Sequence, residues 1–315
     1  MSERLLDVAD LEVRYRTARR QQVRAVDGVS LHVDAGELVA LVGESGCGKT
    51  TTAQAVMRMA PIAAGRVAFR GRDITSLSQR EMRPVRRELQ LIFQDPYESL
   101  DPRFRVRDTV AEPLDIHGVR DRRDERLREA LERAGLTPPE LYLDRFPHEL
   151  SGGQRQRVAI AASLVLEPRL LLADEPVSML DVSVRAGILN LLDGLRAGGL
   201  GILMITHDLS TAAHYADRIC VMYLGRIVEE GPAAAVIGAP RHPYTRALVS
   251  VVPQPDPDAR SAPEILQGET PNPADVPTGC RFHPRCPVAQ DRCRTDDPAL
   301  RDAGEPGQRA ACHYA

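Results

Sequence analysis

The stretch GESGCGKT, residues 43 to 50, holds the only lysine of the chain; every other member of its 41 basic residues is an arginine. Gly43, Gly48, Lys49 and Thr50 fit the pattern G-x-x-x-x-G-K-[ST]. Glycines at these places let the backbone of Gly43, Glu44, Ser45, Gly46, Cys47 and Gly48 curl so that its N–H groups face phosphate oxygens. The segment that follows, starting with Lys49, Thr50 and Thr51, reads as a helix whose N-terminus favours the same negative charge. A compact ammonium reaches between two phosphates, whereas a planar guanidinium is larger and does not fit that cradle. This accounts for one lysine in an arginine-only background. Thr50 supplies the hydroxyl expected on a magnesium ion. Cys47, at a helix N-terminus beside a lysine, is expected to have a lowered pKa and to react readily.

A second chemical signal is LLLADE, residues 170 to 175. An apolar strand ending in Asp174 offers a carboxylate that holds magnesium through water. Glu175 at the strand tip is placed to orient and activate an attacking water. A third lies near the end of the chain, where Cys280, Cys286, Cys293 and Cys312 are spaced C-x5-C-x6-C-x18-C. Their surroundings are rich in Pro and Arg and poor in core-forming residues, so a metal is the expected source of stability. Four thiolates suit either tetrahedral zinc or an iron–sulfur cluster, and His283 and His313 are adjacent alternatives as zinc ligands.

The elements that must position these groups can be read from the pattern. The 315 residues are 27% charged and 43% hydrophobic, ordinary for a globular protein. A net charge of −3, 4% aromatics and no tryptophan argue against nucleic acid as the main partner. The opening MSERLLDVADLEVRYR is too charged for a signal peptide, and no apolar run approaches a membrane span. A cytoplasmic chain follows, in which disulfides are not expected. Strand patterns occur at LEVRY, VSLHVDAGELVALVG, LLLAD, GILMITHD and RICVMYLGRIVEEG, and residues 66 to 93 read as short strands. TTAQAVMRMA has helical spacing, and RDERLREALERAG (123 to 135) is a charged amphipathic helix. Strands alternating with helices imply a mainly parallel α/β core with a helical insertion at about 95 to 163. Beyond about residue 250 the chain turns proline-rich and irregular.

Between the two nucleotide motifs lies HELSGGQRQR, residues 148 to 157, opening an apolar helix. Here the chain resembles the ATPase subunits of ATP-binding-cassette (ABC) transporters, whose signature LSGGQ is matched by Leu150, Ser151, Gly152, Gly153 and Gln154. Gln94 after LQLIF, Ser178-Met179-Leu180-Asp181 and His207 stand in the family's order, and Tyr15 stands where an aromatic ring often stacks on adenine. The resemblance implies an ABC-ATPase phosphate-loop core with an inserted helical subdomain. It implies ATP and Mg2+ as ligands, and a second ATPase subunit, a paralogue, docked head to tail. Ser151, Gly152, Gly153 and Gln154 would then face the partner's nucleotide. Gln94 would contact magnesium or the attacking water, His207 would hold the γ-phosphate and Glu175, and Asp181 would link the two sites.

QDPYESLDPR (94 to 103), VMYLGRIVEEG (221 to 231) and RHPYTRALVS (241 to 250) look like the dipeptide and oligopeptide importers, closer to the F-type than the D-type ATPase subunit. This implies a cassette over 1 to 250 and a Cys-rich extension over 251 to 315, which in such importers can carry a [4Fe–4S] cluster on Cys280, Cys286, Cys293 and Cys312. It further implies two integral-membrane permeases, an extracytoplasmic solute-binding protein, and a peripheral place on the cytoplasmic face of a bacterial inner membrane. Val177, Met179 and Cys47 depart from the family's usual threonine, alanine and serine without removing a catalytic group. Another small solute such as nickel is the alternative cargo. A soluble ABC ATPase acting on ribosomes or DNA is the alternative of another class; it usually carries two cassettes or a long coiled coil.

Overall fold

The computed structural model describes residues 3–16, 22–95, 100–252, 264–266 and 268–315. The PYES portion of QDPYESL and most of the proline-rich run after residue 252 lie outside these. The chain forms two compact units.

The first unit comprises Met1–Leu6, Val33–Leu38 and Phe69–Ile205. Its centre is a parallel set of strands, Leu89–Ile92, Leu170–Asp174 and the Gly201–Thr206 strand, in register Leu91↔Leu172 and Leu172↔Leu203. Leu170–Asp174 is buried throughout, the continuous apolar run of a strand covered on both faces. The helices Val106–His117, Arg123–Arg133 and Gly152–Leu164 pack on one another, as the amphipathic pattern of 123 to 135 requires. Arg157 on the last of them donates to the Ala134 carbonyl at 2.8 Å and the Gly187 carbonyl at 3.3 Å.

Residues 66 to 93 are not all short strands. A helix, Gln79–Glu88, separates Ala64–Phe69 from Leu89–Ile92. Ser78 caps it: the Glu81 N–H donates to Ser78 Oγ and the Ser78 N–H donates to Glu81 Oε2 at 2.9 Å. Ser78-x-x-Glu81 is a capping-box pattern that the strand reading of 66 to 93 overlooked.

The second unit comprises Asp7–His32, Val39–Ala68 and Thr206–Ala315. The buried strand Leu38–Val42 runs parallel to Arg218–Tyr223, with Val42 opposite Val221. Arg226–Pro232 returns antiparallel beside it. The cysteine-rich tail is less irregular than its composition suggests, because Arg309–Ala310 pairs with Glu229 and Glu230, and Arg301–Asp302 pairs with Arg309–Ala310 in turn. The tail therefore extends the sheet edge. A separate sheet places Arg4–Arg16 between Gln22–Asp34 and Ala64–Phe69. Gly65, at φ +88°, is needed there because a Cβ would fall on the Asp10 carbonyl.

Candidate active site

The strand Leu38–Val42 delivers the chain into the curl 43–48, and the helix Lys49–Val56 leaves it. Two close backbone approaches force glycine. A Cβ at Gly43 would run into the Met222 carbonyl, and one at Gly48, where φ is +110°, into the Ala25 carbonyl. Lys49 is buried and its Nζ donates to the carbonyls of Gly43 at 2.7 Å and Glu44 at 3.0 Å. The ammonium is thus tied to two carbonyls of the loop itself. Ser45, Gly46 and Thr50 are exposed and Thr51 is half-buried. Tyr15, 38% exposed, stands near the end of the strand Arg4–Arg16. His207 is exposed just after the strand Gly201–Thr206.

Cys47 corrects an expectation. Its thiol is buried, and burial raises its pKa more than the Lys49 ammonium, 3.9 Å from the sulfur, lowers it. The side chain points inward, so a helix N-terminus nearby does not make it a reactive thiol.

Glu44 behaves differently from the rest of the loop. Its N–H donates to Tyr244 Oη at 3.0 Å, so this donor is already used within the protein. Its carboxylate turns to the tail, where Arg285 donates from Nη1 at 2.8 Å and Nη2 at 3.1 Å and Thr270 Oγ1 donates at 2.6 Å. Burial alone would raise its pKa; the Arg285 and Thr270 hydrogen bonds, with the Arg285 and Lys49 charges, bring it below the ordinary value. Sequence reading gave no sign of Arg285, Thr270 or Tyr244 here, since they lie 241, 226 and 200 residues away.

In the first unit the structure brings Glu175 and Gln94 together, with Gln94 Nε2 at 3.4 Å from Glu175 Oε2. Asp174 is buried at the strand end, and Glu175 beyond it adopts a left-handed backbone, φ +44°. Such a conformation in a non-glycine residue costs on the order of 1–3 kcal/mol and concentrates at functional sites. It is held by the Glu175 N–H donating to Ile205 O at 2.9 Å, and by the Ser178 Oγ donating to the Glu175 carbonyl at 3.1 Å. Asp181 is the exposed N-cap of the helix Val182–Ala197, with no side-chain capping bond.

LSGGQ forms a capped helix start. The Gln154 N–H donates to Ser151 Oγ and the Ser151 N–H to Gln154 Oε1 at 3.0 Å. The first-turn N–H groups at Gly152 and Gly153 have no acceptor within the helix, which makes this end an anion-binding surface. Gly153 is also a packing requirement, since a Cβ would strike Val184 Cγ1.

Cys280, Cys286, Cys293 and Cys312 are free and line one small cavity, together with His283, His313 and Phe282. The Cys280 N–H donates to the Cys293 carbonyl at 2.9 Å, and the Tyr314 N–H donates to Cys312 Sγ at 3.4 Å. Burial, then the proximity of the other thiols, pushes the Cys280 pKa up to about 11; burial raises Cys286 as well. Four thiols and the imidazoles of His283 and His313 around one cavity are donor types that zinc and iron take. No three of the four sulfurs lie within 4.8 Å of one another. Zn–S bonds of about 2.3 Å in a tetrahedron hold sulfurs at roughly 3.8 Å, a tighter arrangement than this one.

A lysine-clamped phosphate loop, an Asp-Glu strand tip with a glutamine beside it, and a capped LSGGQ helix define a phosphate-loop ATPase of the ATP-binding-cassette class. The ABC transporter family model matches residues 26–178, and the model of the oligopeptide/dipeptide transporter C-terminal region matches 228–293. A protein of Brucella ovis named as a peptide import ATP-binding protein is 48% identical over 311 residues, covering 98% of this chain and 97% of its own. The di/tripeptide transport ATP-binding protein DppF of Pseudomonas aeruginosa is 42% identical, covering 99% and 98%. Among solved structures, the dimeric, ADP- and phosphate-bound ATP-binding cassette MJ0796 is similar at TM-score 0.65 and 28% identity, over 72% of this chain and 98% of that one. The chain belongs to the ATP-binding subunits of ABC transporters, in the oligopeptide/dipeptide branch marked by its C-terminal region. It is an ATP hydrolase coupled to transport. No helix among the described residues is long and apolar enough to cross a membrane.

Proposed function

We propose that this chain hydrolyses ATP to drive import of di- and oligopeptides, as an F-type ATPase subunit docked on two permeases at the cytoplasmic face of a bacterial inner membrane. The observation that carries hydrolysis is the Glu175 carboxylate, held at a strand tip in a left-handed backbone with the Gln94 amide 3.4 Å away. Peptide cargo is supported by the C-terminal region match and by the relatives' names. No observation favours nickel, ribosomes or DNA over it. Residues 1 to 250 serve as the cassette, with its helical part at about 95 to 163, and 251 to 315 as the extension.

When ATP is bound, the loop N–H groups and Lys49 would hold its phosphates and Tyr15 would stack on the base; Thr50 of the second unit, and Gln94 and (through water) Asp174 of the first, would offer ligands to Mg2+, which would neutralise phosphate charge. Glu175 takes the proton of the attacking water, and His207 fixes the γ-phosphate. Ser151, Gly152, Gly153 and Gln154 complete a partner subunit's site, and Asp181 reaches across. Support for such a partner comes from the exposed apolar residues flanking Asp181, Met179 at 58% and Val182 at 80% exposure, and from the dimeric cassette among the similar structures. A paralogous subunit and a solute-binding protein complete the assembly.

In the extension, Cys280, Cys286, Cys293 and Cys312 would hold a [4Fe–4S] cluster, which supplies folding energy rather than catalysis because no ligand position is left open. Iron and acid-labile sulfide, about four of each per chain, are expected in anaerobically purified protein; stoichiometric zinc instead overturns the cluster.

Glu175→Gln keeps the size of the side chain and loses the base. In the assembled transporter, hydrolysis at this site is expected to fall by about 10²–10⁴-fold while ATP still binds. Turnover like the wild type would overturn the role.

A further inference from the structure

The phosphate loop is usually thought of as a self-sufficient backbone device. Here one of its residues is not free to act alone. Glu44, the first residue after Gly43, gives its whole carboxylate to the tail: both oxygens to the Arg285 guanidinium and one of them also to Thr270. Arg285 is itself deeply set, its side chain only 9% exposed, with its guanidinium 5.9 Å from the centre of the Tyr223 ring. Tyr223 in turn packs with Tyr244 and Phe282, ring centres 4.8 and 5.3 Å away, and Tyr244 is the residue that takes the Glu44 N–H. One packed group, drawn from the strand Arg218–Tyr223, the helix Pro243–Ser250 and the cysteine-rich tail, therefore grips Glu44 by both main chain and side chain.

The electrostatic consequence is specific. The Glu44 carbonyl is one of the two carbonyl acceptors of Lys49 Nζ, so the carboxylate belongs to a residue that directly holds the phosphate-seeking ammonium. Without Arg285, a half-buried anion is left unpaired at the mouth of a site built for the polyanionic phosphates. Its nearest remaining countercharge is Lys49, and like charge next to the phosphates repels them.

We infer that Arg285 is a positioning residue for the phosphate loop: by holding the Glu44 carboxylate away from the site, the tail sets how tightly the loop binds ATP. The inference rests on the ATP-binding reading of the loop. It makes the fold of residues 280 to 293 and nucleotide affinity two ends of one coupling, and coupling is reciprocal.

MgATP affinity of the full-length protein, measured by titration calorimetry, tests it. Arg285→Gln is expected to weaken binding roughly tenfold, within the usual 5–150-fold span of such couplings. Glu44→Gln in the same chain removes the stranded charge, so the double variant is expected to bind within about twofold of Glu44→Gln alone. That rescue separates positioning from general damage, which a neutral Glu44 could not repair. Equal binding by Arg285→Gln and wild type, or a double variant as weak as Arg285→Gln, overturns the inference alone. Wild-type protein that binds no MgATP overturns the ATP-binding reading and this inference with it. Should Arg285→Gln fail to fold, hydrogen exchange in the wild type decides. Amides of 280 to 293 are expected to slow with saturating MgATP, by the reciprocity of the coupling; unchanged exchange overturns it.

Discussion

The phosphate loop and the tail packed on it are held by opposite means. The loop is fixed by backbone pressed against backbone: Gly43 on the Met222 carbonyl, Gly48 on the Ala25 carbonyl, and Lys49 tied to two carbonyls of the loop itself. The tail adds charge to its strand pairing and its buried Phe282. Arg281 forms an ion pair with Asp27 and donates to the Leu224 carbonyl, Arg226 joins Asp27 to Asp297, and Arg285 holds Glu44. The loop's one carboxylate, Glu44, is turned away to Arg285, and a tail with few apolar residues adds ion pairs to its buried Phe282. The two regions should therefore fail differently.

Gly48→Ala should break the loop outright. The added methyl meets a carbonyl of a neighbouring strand, and φ of +110° is a conformation that alanine rarely adopts. Loss of measurable ATP binding is the expected outcome. Gly46→Ala is its control, since φ is +78° but nothing lies within 4 Å of the new Cβ. Only the conformational cost of about 1–2 kcal/mol applies there. Equal damage from both would mean that close approach is not what the loop depends on.

Asp27→Asn should injure the tail through charge. Asp27 and Arg281 are both nearly buried, at 6% and 9% side-chain exposure, so the variant strands a guanidinium in a poorly hydrated place. Breaking a buried pair in this way costs about 3–5 kcal/mol. The fall should appear in urea unfolding at pH 7, and a change below about 1 kcal/mol, the worth of an exposed pair, would refute the account.

These two regions also differ in how far they could be read in advance. Gly43, Gly48 and Lys49 carry their chemistry in eight consecutive residues, so pattern and geometry coincide. LSGGQ was legible for the same reason, its cap closing over three residues. Asp27 with Arg281, and Glu44 with Arg285, join positions 254 and 241 apart in a chain of 41 basic residues. Nothing local marks which arginine is paired. Local signals also misled where burial reversed them: Cys47 has the neighbours of an activated thiol, but its side chain points into the protein.

Acid should weaken the tail through Asp27. Burial raises the Asp27 pKa, but the Arg281 and Arg226 guanidinium groups lower it further, and the net value falls below the ordinary 3.8. A carboxylate lowered by folding stabilises the folded state fully above its unfolded value, and that contribution is lost as pH falls through the lower folded one. Between pH 7 and 5 Asp27 therefore contributes no slope, and below about pH 4 its share of the tail's stability drains away. Unfolding of Asp27→Asn should lack this acid-limb component. An identical acid limb in wild type and variant would assign it to other groups.

The smallest effect concerns Cys47. It lies in the loop and its sulfur is near an ammonium, which by itself promotes the thiolate. Burial opposes this and prevails, raising the thiol above its ordinary pKa. A protonated, enclosed sulfur is a poor nucleophile and a maleimide cannot reach it without loop opening. Mass spectrometry of native protein at pH 7 should therefore show Cys47 labelled far more slowly than in urea, with or without MgATP. Fast labelling that MgATP blocks would reverse the argument. It would show the loop opening readily, and close backbone packing would then no longer distinguish it from the charge-held tail.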